Sequence, residues 1–175
     1  MIIRKATIEE RDAMSELIAE SARHLSRAHY NAQQIETAIA TVFGVDTSLI
    51  EDGTYFVVEV DGNLAGCGGW SKRKTLYGGD QYTSRDTNYL DPTSEPAKIR
   101  AFFIHPDHAR KGIARALLNH CETEARAQGF RALELMSTLP GIEFYKSCGF
   151  EETGNFDLQL TDAVTLELVP MRKDL

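Results

Sequence analysis

Cysteine is scarce in this chain. Cys67, Cys121 and Cys148 stand far apart among 175 residues, and no CxxC pair occurs. That excludes a disulfide framework and a cysteine-based zinc site, and it fits a reducing cytoplasm. Basic residues are also in deficit: 19 Lys and Arg face 26 Asp and Glu, for a formal net charge of −7. So acidic a surface excludes duplex nucleic acid as the main partner, because binding a phosphate backbone needs a broad basic footprint. No run approaches the roughly 20 apolar residues that span a bilayer. The first residues carry charge from Arg4 onward and lack the apolar stretch of a signal peptide. No membrane partner and a cytoplasmic location are therefore expected. The five histidines lack metal spacing. Pro106 separates His105 from His108, and His24 and His29 lie on different helix faces. No metal is expected.

What is present is an ordinary globular composition, 42% hydrophobic and 26% charged. It predicts one domain over residues 1–175, with a core of its own. Residues 2–5 read as a strand. Thr7 and Glu10 form a capping box that opens a helix, with Met14, Leu17 and Ile18 on its inner face. A second helix begins after Asn31, carries Ile35, Ile39 and Val42, and stops at Gly44. Residues 55–60 and 64–70 read as strands joined by a turn at Asp61-Gly62. Residues 72–96 break the pattern and predict a long loop, of the kind that is often functional. A strand over 97–105, a helix over 112–128 stopped by Gly129, and a strand over 131–137 follow. A short helix over 142–148 and two last strands, the final one at 164–169, complete the chain. The order predicts an α/β layered domain with a mixed sheet.

The chemistry concentrates in IRAFFIHPDHARKGIARALL, residues 99–118. A strand runs into a loop, and the loop opens a helix at Gly112. The first turn of a helix offers unpaired N–H groups and the positive end of the macrodipole, which suits a phosphate. Gly112 and Ala114 leave room for close approach. Arg110, Lys111 and Arg115 add positive charge, with no acidic residue between His108 and Arg115 to cancel it. The competing reading is a turn glycine beside a solvated basic pair. Neither a Walker A loop nor a GxGxxG fingerprint is present.

This loop resembles the acetyl-CoA motif of the GNAT superfamily of N-acetyltransferases, [QR]xxGx[GA]. Gly112 and Ala114 match it, whereas Ala109 replaces the usual Gln or Arg. A second block, PGIEFYKSCGF over 140–150, resembles the family's FYxxxGF signature through Phe144, Tyr145, Gly149 and Phe150. The Asn common ahead of that helix is replaced by Leu139-Pro140. The resemblance implies a mixed, mostly antiparallel sheet flanked by helices and splayed between strands four and five. It implies acetyl-CoA as cosubstrate, with the pantetheine arm along Phe102, Phe103 and Ile104. The pyrophosphate would lie on Arg110, Lys111, Gly112, Ile113, Ala114 and Arg115. Tyr145 would act as general acid. The acceptor would be a primary amine of a small molecule or a peptide, attacking directly in a ternary complex. Tyr30, Trp70 and Arg100 are expected on its side, with Tyr77, Tyr82 and Tyr89 of the long loop among Asp80, Asp86 and Asp91. No general base is visible; Asp91, Glu95, His24, His29 and Tyr30 are the nearest candidates. A non-catalytic acyl-CoA sensor is the alternative function, and homodimerisation is left open.

Overall fold

Both faces of the central hairpin are buried, and this decides the layering. The computed structural model describes residues 1–175. β1 (Ile2–Lys5), β2 (Tyr55–Val60) and β3 (Asn63–Ser71) form an antiparallel run. Successive side chains of a strand point to opposite faces. Tyr55 and Val57 accordingly join one core, and Phe56 and Val58 the other. Helices cover each side. α1 (Arg11–Leu25), α2 (Ala32–Thr41) and α3 (Thr47–Glu51) lie on the Tyr55 face, and α4 (Ile113–Ala127) and α5 (Ile142–Ser147) on the Phe56 face.

Local sequence explains the helix starts. The Glu10 carboxylate accepts from the Thr7 N–H at 2.9 Å. Asn31 and Gln34 exchange side-chain and backbone hydrogen bonds of 2.8 and 3.0 Å, a reciprocal cap for α2. α2 ends at Thr41 rather than Gly44, because Val42 leaves helical backbone. α3 was not foreseen; its start is capped by Asp46, which accepts from the Ser48 N–H.

The sheet continues through β4 (Ala97–Ile104), β5 (Ala132–Thr138) and the long β8 (Val164–Asp174). β6 (Glu151–Glu152) and β7 (Phe156–Thr161) pair with β8. The strand order is β1-β2-β3-β4-β5-β8-β6, and only the β4–β5 pair is parallel. The mixed, mostly antiparallel sheet flanked by helices is thus present.

Two irregularities open this sheet. The β4–β5 ladder covers only Ala97↔Leu133 and Lys98↔Glu134, and ends at a Lys98–Glu134 ion pair. From Ile99 onward β4 and β5 part, which is the expected splay. On its other edge β4 carries a bulge: Cys67 pairs with Phe103 but Gly69 with Arg100. The extra residue, Ala101, adopts a left-handed φ of +52°, a conformation that costs a residue with a β-carbon about 1–2 kcal/mol. Opposite the bulge, a β-carbon on Gly68 would meet the Phe102 ring at 2.5 Å. Only glycine admits that ring.

Candidate active site

The parting of β4 and β5 leaves a cleft of about 750 Å³ that runs through the sheet. The walls come from β4, the loop before α4, α5, the ends of α1 and α2, and residues 76–79.

At one end the chain presents amides. Arg110 and Gly112 both have left-handed backbones, with φ +61° and +83°. They turn the loop so that the backbone N–H groups from Arg110 through Arg115 find no acceptor in the protein. The next N–H, of Ala116, enters the helix by donating to the Gly112 carbonyl at 3.0 Å. Successive free amides at a helix start form an anion-binding concavity. A β-carbon placed on Gly112 would meet nothing within 4 Å, so the space over the loop is open. These features fit a pyrophosphate. The three cations differ in their engagement. Arg110 is exposed, lines the cleft and makes no ion pair. Arg115 also lines it, and donates to Ser147 Oγ at 2.8 Å. Lys111 turns aside, its Nζ donating to the Asp107 carbonyl at 2.7 Å.

Midway stands Tyr145, positioned by α5 and by ring contacts to Phe144 and Phe150 at 5.0 and 5.6 Å between centroids. Its hydroxyl takes no partner within the protein, and the residue lines the cleft. Burial pushes this hydroxyl well above the usual phenol range. Facing it, Phe102, Phe103 and Ile104 lie beyond the last β5 pairing, so their backbone edge borders the cleft. Their side chains pack elsewhere: Phe102 and Ile104 against the α4 core, Phe103 against Phe43.

Of the residues expected on the acceptor side, Arg100 and Tyr77 line the cleft, whereas Tyr30 and Trp70 do not. Arg100 is 3% exposed and held by three hydrogen bonds. Its guanidinium donates to Asp46 Oδ2 at 2.9 Å and to the Thr75 and Gly78 carbonyls at 2.9 and 2.6 Å. It is a strut for the loop, and it also lines the cleft. Burial works against its charge and Asp46 for it, but an arginine remains protonated throughout. Burial also opposes ionisation of Asp46, yet Arg100, Ser48 and Arg85 outweigh it and hold that carboxyl below its usual range. Trp70 faces α4, where its indole donates to Glu124 at 3.3 Å and packs on Phe130. Tyr30 donates to the Glu167 carbonyl at 2.6 Å and accepts from the Leu139 N–H at 2.9 Å, tying the turn after β5 to β8. Desolvation raises its pKa to about 12, against the pull of the Leu139 hydrogen bond. Neither Trp70 nor Tyr30 lines the cleft. The loop acids are likewise occupied: Asp80 binds Thr47 and Arg85, Asp86 binds Asn88, and Asp91 binds Thr93.

Sequence reasoning missed Asp46 and Arg85, the partners that explain Arg100, and the cleft-lining Ser21 and Ser26. One acid and two arginines scattered over residues 46–100 carry no spacing signal, so only the fold reveals their meeting.

A match to the acetyltransferase (GNAT) family spans residues 12–150. The chain belongs to that family. An uncharacterized N-acetyltransferase of Methanocaldococcus jannaschii is 34% identical over 107 residues, which is 58% of this chain and 40% of that protein. The chain thus spans well under half the length of this relative. A GCN5-related N-acetyltransferase from Rhodopseudomonas palustris superposes with a TM-score of 0.75 at 15% identity, over 99% of this chain and 95% of that one. The PaiA N-acetyltransferase of Thermoplasma acidophilum, in complex with coenzyme A, gives 0.67 at 17% identity, over 99% and 98%. At such identities these likenesses are likenesses of fold. Within this GNAT domain no helix is long and apolar enough to cross a membrane. No group of three or more His, Cys, Asp and Glu side chains gathers as a metal site.

Proposed function

We propose that this GNAT domain transfers an acetyl group from acetyl-CoA to a primary amine, of a small molecule or a peptide, by direct attack in a ternary complex. One observation carries the reading: a single cleft joins the free amides of Arg110–Arg115 to the unpartnered Tyr145 hydroxyl. The coenzyme A complex of the PaiA protein supports the choice of cosubstrate.

Acetyl-CoA, when bound, supplies the acetyl group activated as a thioester. The amides of Arg110–Arg115 hold its pyrophosphate, with Arg110 and Arg115 neutralising charge. Lys111, held on the Asp107 carbonyl, adds only longer-range attraction. The unpaired edge of Phe102–Ile104 takes the pantetheine amides as an added strand. One N–H of this segment, reoriented by the bulge at Ala101, donates to the thioester oxygen as negative charge develops there. Tyr145 donates its hydroxyl hydrogen toward the departing sulfur. A thiol has an ordinary pKa of about 8.5 and a phenol of about 10, and burial widens that gap. Tyr145 therefore stabilises the sulfur chiefly by a strong hydrogen bond, and the proton shed by the amine completes the thiol. A bare acyl-CoA sensor has no use for such a hydroxyl, which favours the enzyme.

The test is thermal unfolding with and without acetyl-CoA, followed by CoA release on adding amines. At one hundred times its dissociation constant the ligand adds about 2.7 kcal/mol, or about 5–10 °C in Tm for a domain of this size. An unchanged Tm at millimolar acetyl-CoA overturns the reading.

A further inference from the structure

The end of the cleft away from the amide loop is apolar. Leu25, Val42, Phe43, Leu76, Met136 and Leu168 wall it. The charges closest to it are already paired: Arg100, which itself lines the cleft, and Arg85 share Asp46, whose side chain is fully buried, and Arg85 also lies 3.7 Å from Asp80. The only carboxylate on the cleft lining is Glu143, whose side chain is 88% exposed at the rim and 3.8 Å from Lys146. Two hydroxyls are free against this wall. Ser21 and Ser26 are 4% and 6% exposed, line the cleft, and enter no side-chain hydrogen bond within the protein.

A second ammonium or a carboxylate on the acceptor would be desolvated here with no unpaired counter-ion to meet it, which is unfavourable. An apolar body loses nothing on entering, and a few placed hydroxyls are enough to orient it. We propose that, given the acetyl transfer inferred above, the acceptor is a primary amine on an uncharged apolar body, an alkyl- or arylalkylamine, whose nitrogen is oriented by Ser21 and Ser26. Its nitrogen lone pair forms the new bond to the acetyl carbon as the carbon–sulfur bond breaks. One proton leaves the nitrogen and one is gained at sulfur, so the products are an N-substituted acetamide and the CoA thiol.

Steady-state CoA release with phenethylamine, hexylamine, spermidine and glutamate tests this, beside a calorimetric titration with acetyl-CoA alone. The two apolar amines should exceed spermidine and glutamate in kcat/KM by about 100-fold or more. Leu25, 38% exposed at the mouth, is a site where charge is compatible with folding. Leu25→Asp should lower kcat/KM for phenethylamine and raise it for spermidine, each by about tenfold, at unchanged acetyl-CoA affinity. Ser21→Ala should raise the phenethylamine KM several-fold and leave Tm unchanged, alanine being the better helix former. Preference for spermidine or glutamate overturns the proposal. So does inertness of both apolar amines when acetyl-CoA binds normally, with the acetyl-transfer reading left intact. Failure of acetyl-CoA to bind defeats both.

Discussion

Arg100, within β4, and Arg110, in the loop that follows it, meet opposite fates. Arg100 is sealed under the loop of residues 72–96 by Asp46 and two carbonyls. Arg110 stands exposed beside amides that have no partner. Buried charges that are fully paired organise a fold, whereas exposed ones with free neighbours await a ligand. The cleft therefore has a satisfied end and an unsatisfied end, and the second is where we propose that an anion is recruited.

The largest effect should come from Gly112→Glu. There is room for the β-carbon, but the φ of +83° disfavours any side chain, and the carboxylate would occupy the place proposed for the phosphate. Calorimetry should detect no acetyl-CoA binding at millimolar ligand, with a native circular dichroism spectrum. Retained binding would erase the contrast between the two ends.

At the satisfied end, Asp46→Ala should act on stability instead. It strands the buried guanidinium of Arg100, while Arg85 keeps Asp80; breaking such a buried pair costs about 3–5 kcal/mol, or about 6–20 °C in Tm at this size. Acetyl-CoA affinity of the folded protein should hold. The pH dependence sharpens this. A carboxyl held below its usual range adds stability that is complete above its unfolded pKa, about 3.9. That stability is lost as pH falls through the depressed native value. Denaturant titrations should thus show the parent losing stability from about pH 4 downward, and Asp46→Ala losing less over the same range.

Between the ends, Tyr145→Phe keeps the ring contacts and deletes the hydroxyl. A hydrogen bond to a charged group is worth about 1.5–3 kcal/mol, so kcat should fall by about 10–150-fold with acetyl-CoA affinity unchanged. A variant that keeps its kcat would remove Tyr145 from the chemistry. The smallest change is expected for Arg110→Ala. One exposed charge among several donors should weaken acetyl-CoA binding about three- to tenfold, without altering kcat.

Local reading picked out the loop before α4 because its signal is contiguous. A strand, a glycine with left-handed backbone, three cations and a helix follow one another within residues 99–118, and each acts through its immediate neighbours. The acceptor end was not legible in this way. Trp70 and Arg100 looked available as single letters, but their orientation depends on which face of the sheet each side chain takes. The face of Arg100 depends in turn on a one-residue bulge at Ala101. Nor does anything near Asp46 announce that it will meet Arg100 and Arg85 across more than 35 positions.

The sequence by itself determined the order of the main elements, though not α3 or the short β6, together with the alternating strands, the helix caps and the basic glycine loop before α4, because these follow from spacings of two to four residues. Tertiary structure alone decided where β4 and β5 part, which charges are cancelled, and that one end of the cleft is apolar with two free hydroxyls. Those properties arise from pairings between distant segments, and burial turns each pairing into an all-or-none choice between a satisfied charge and a prohibitive one.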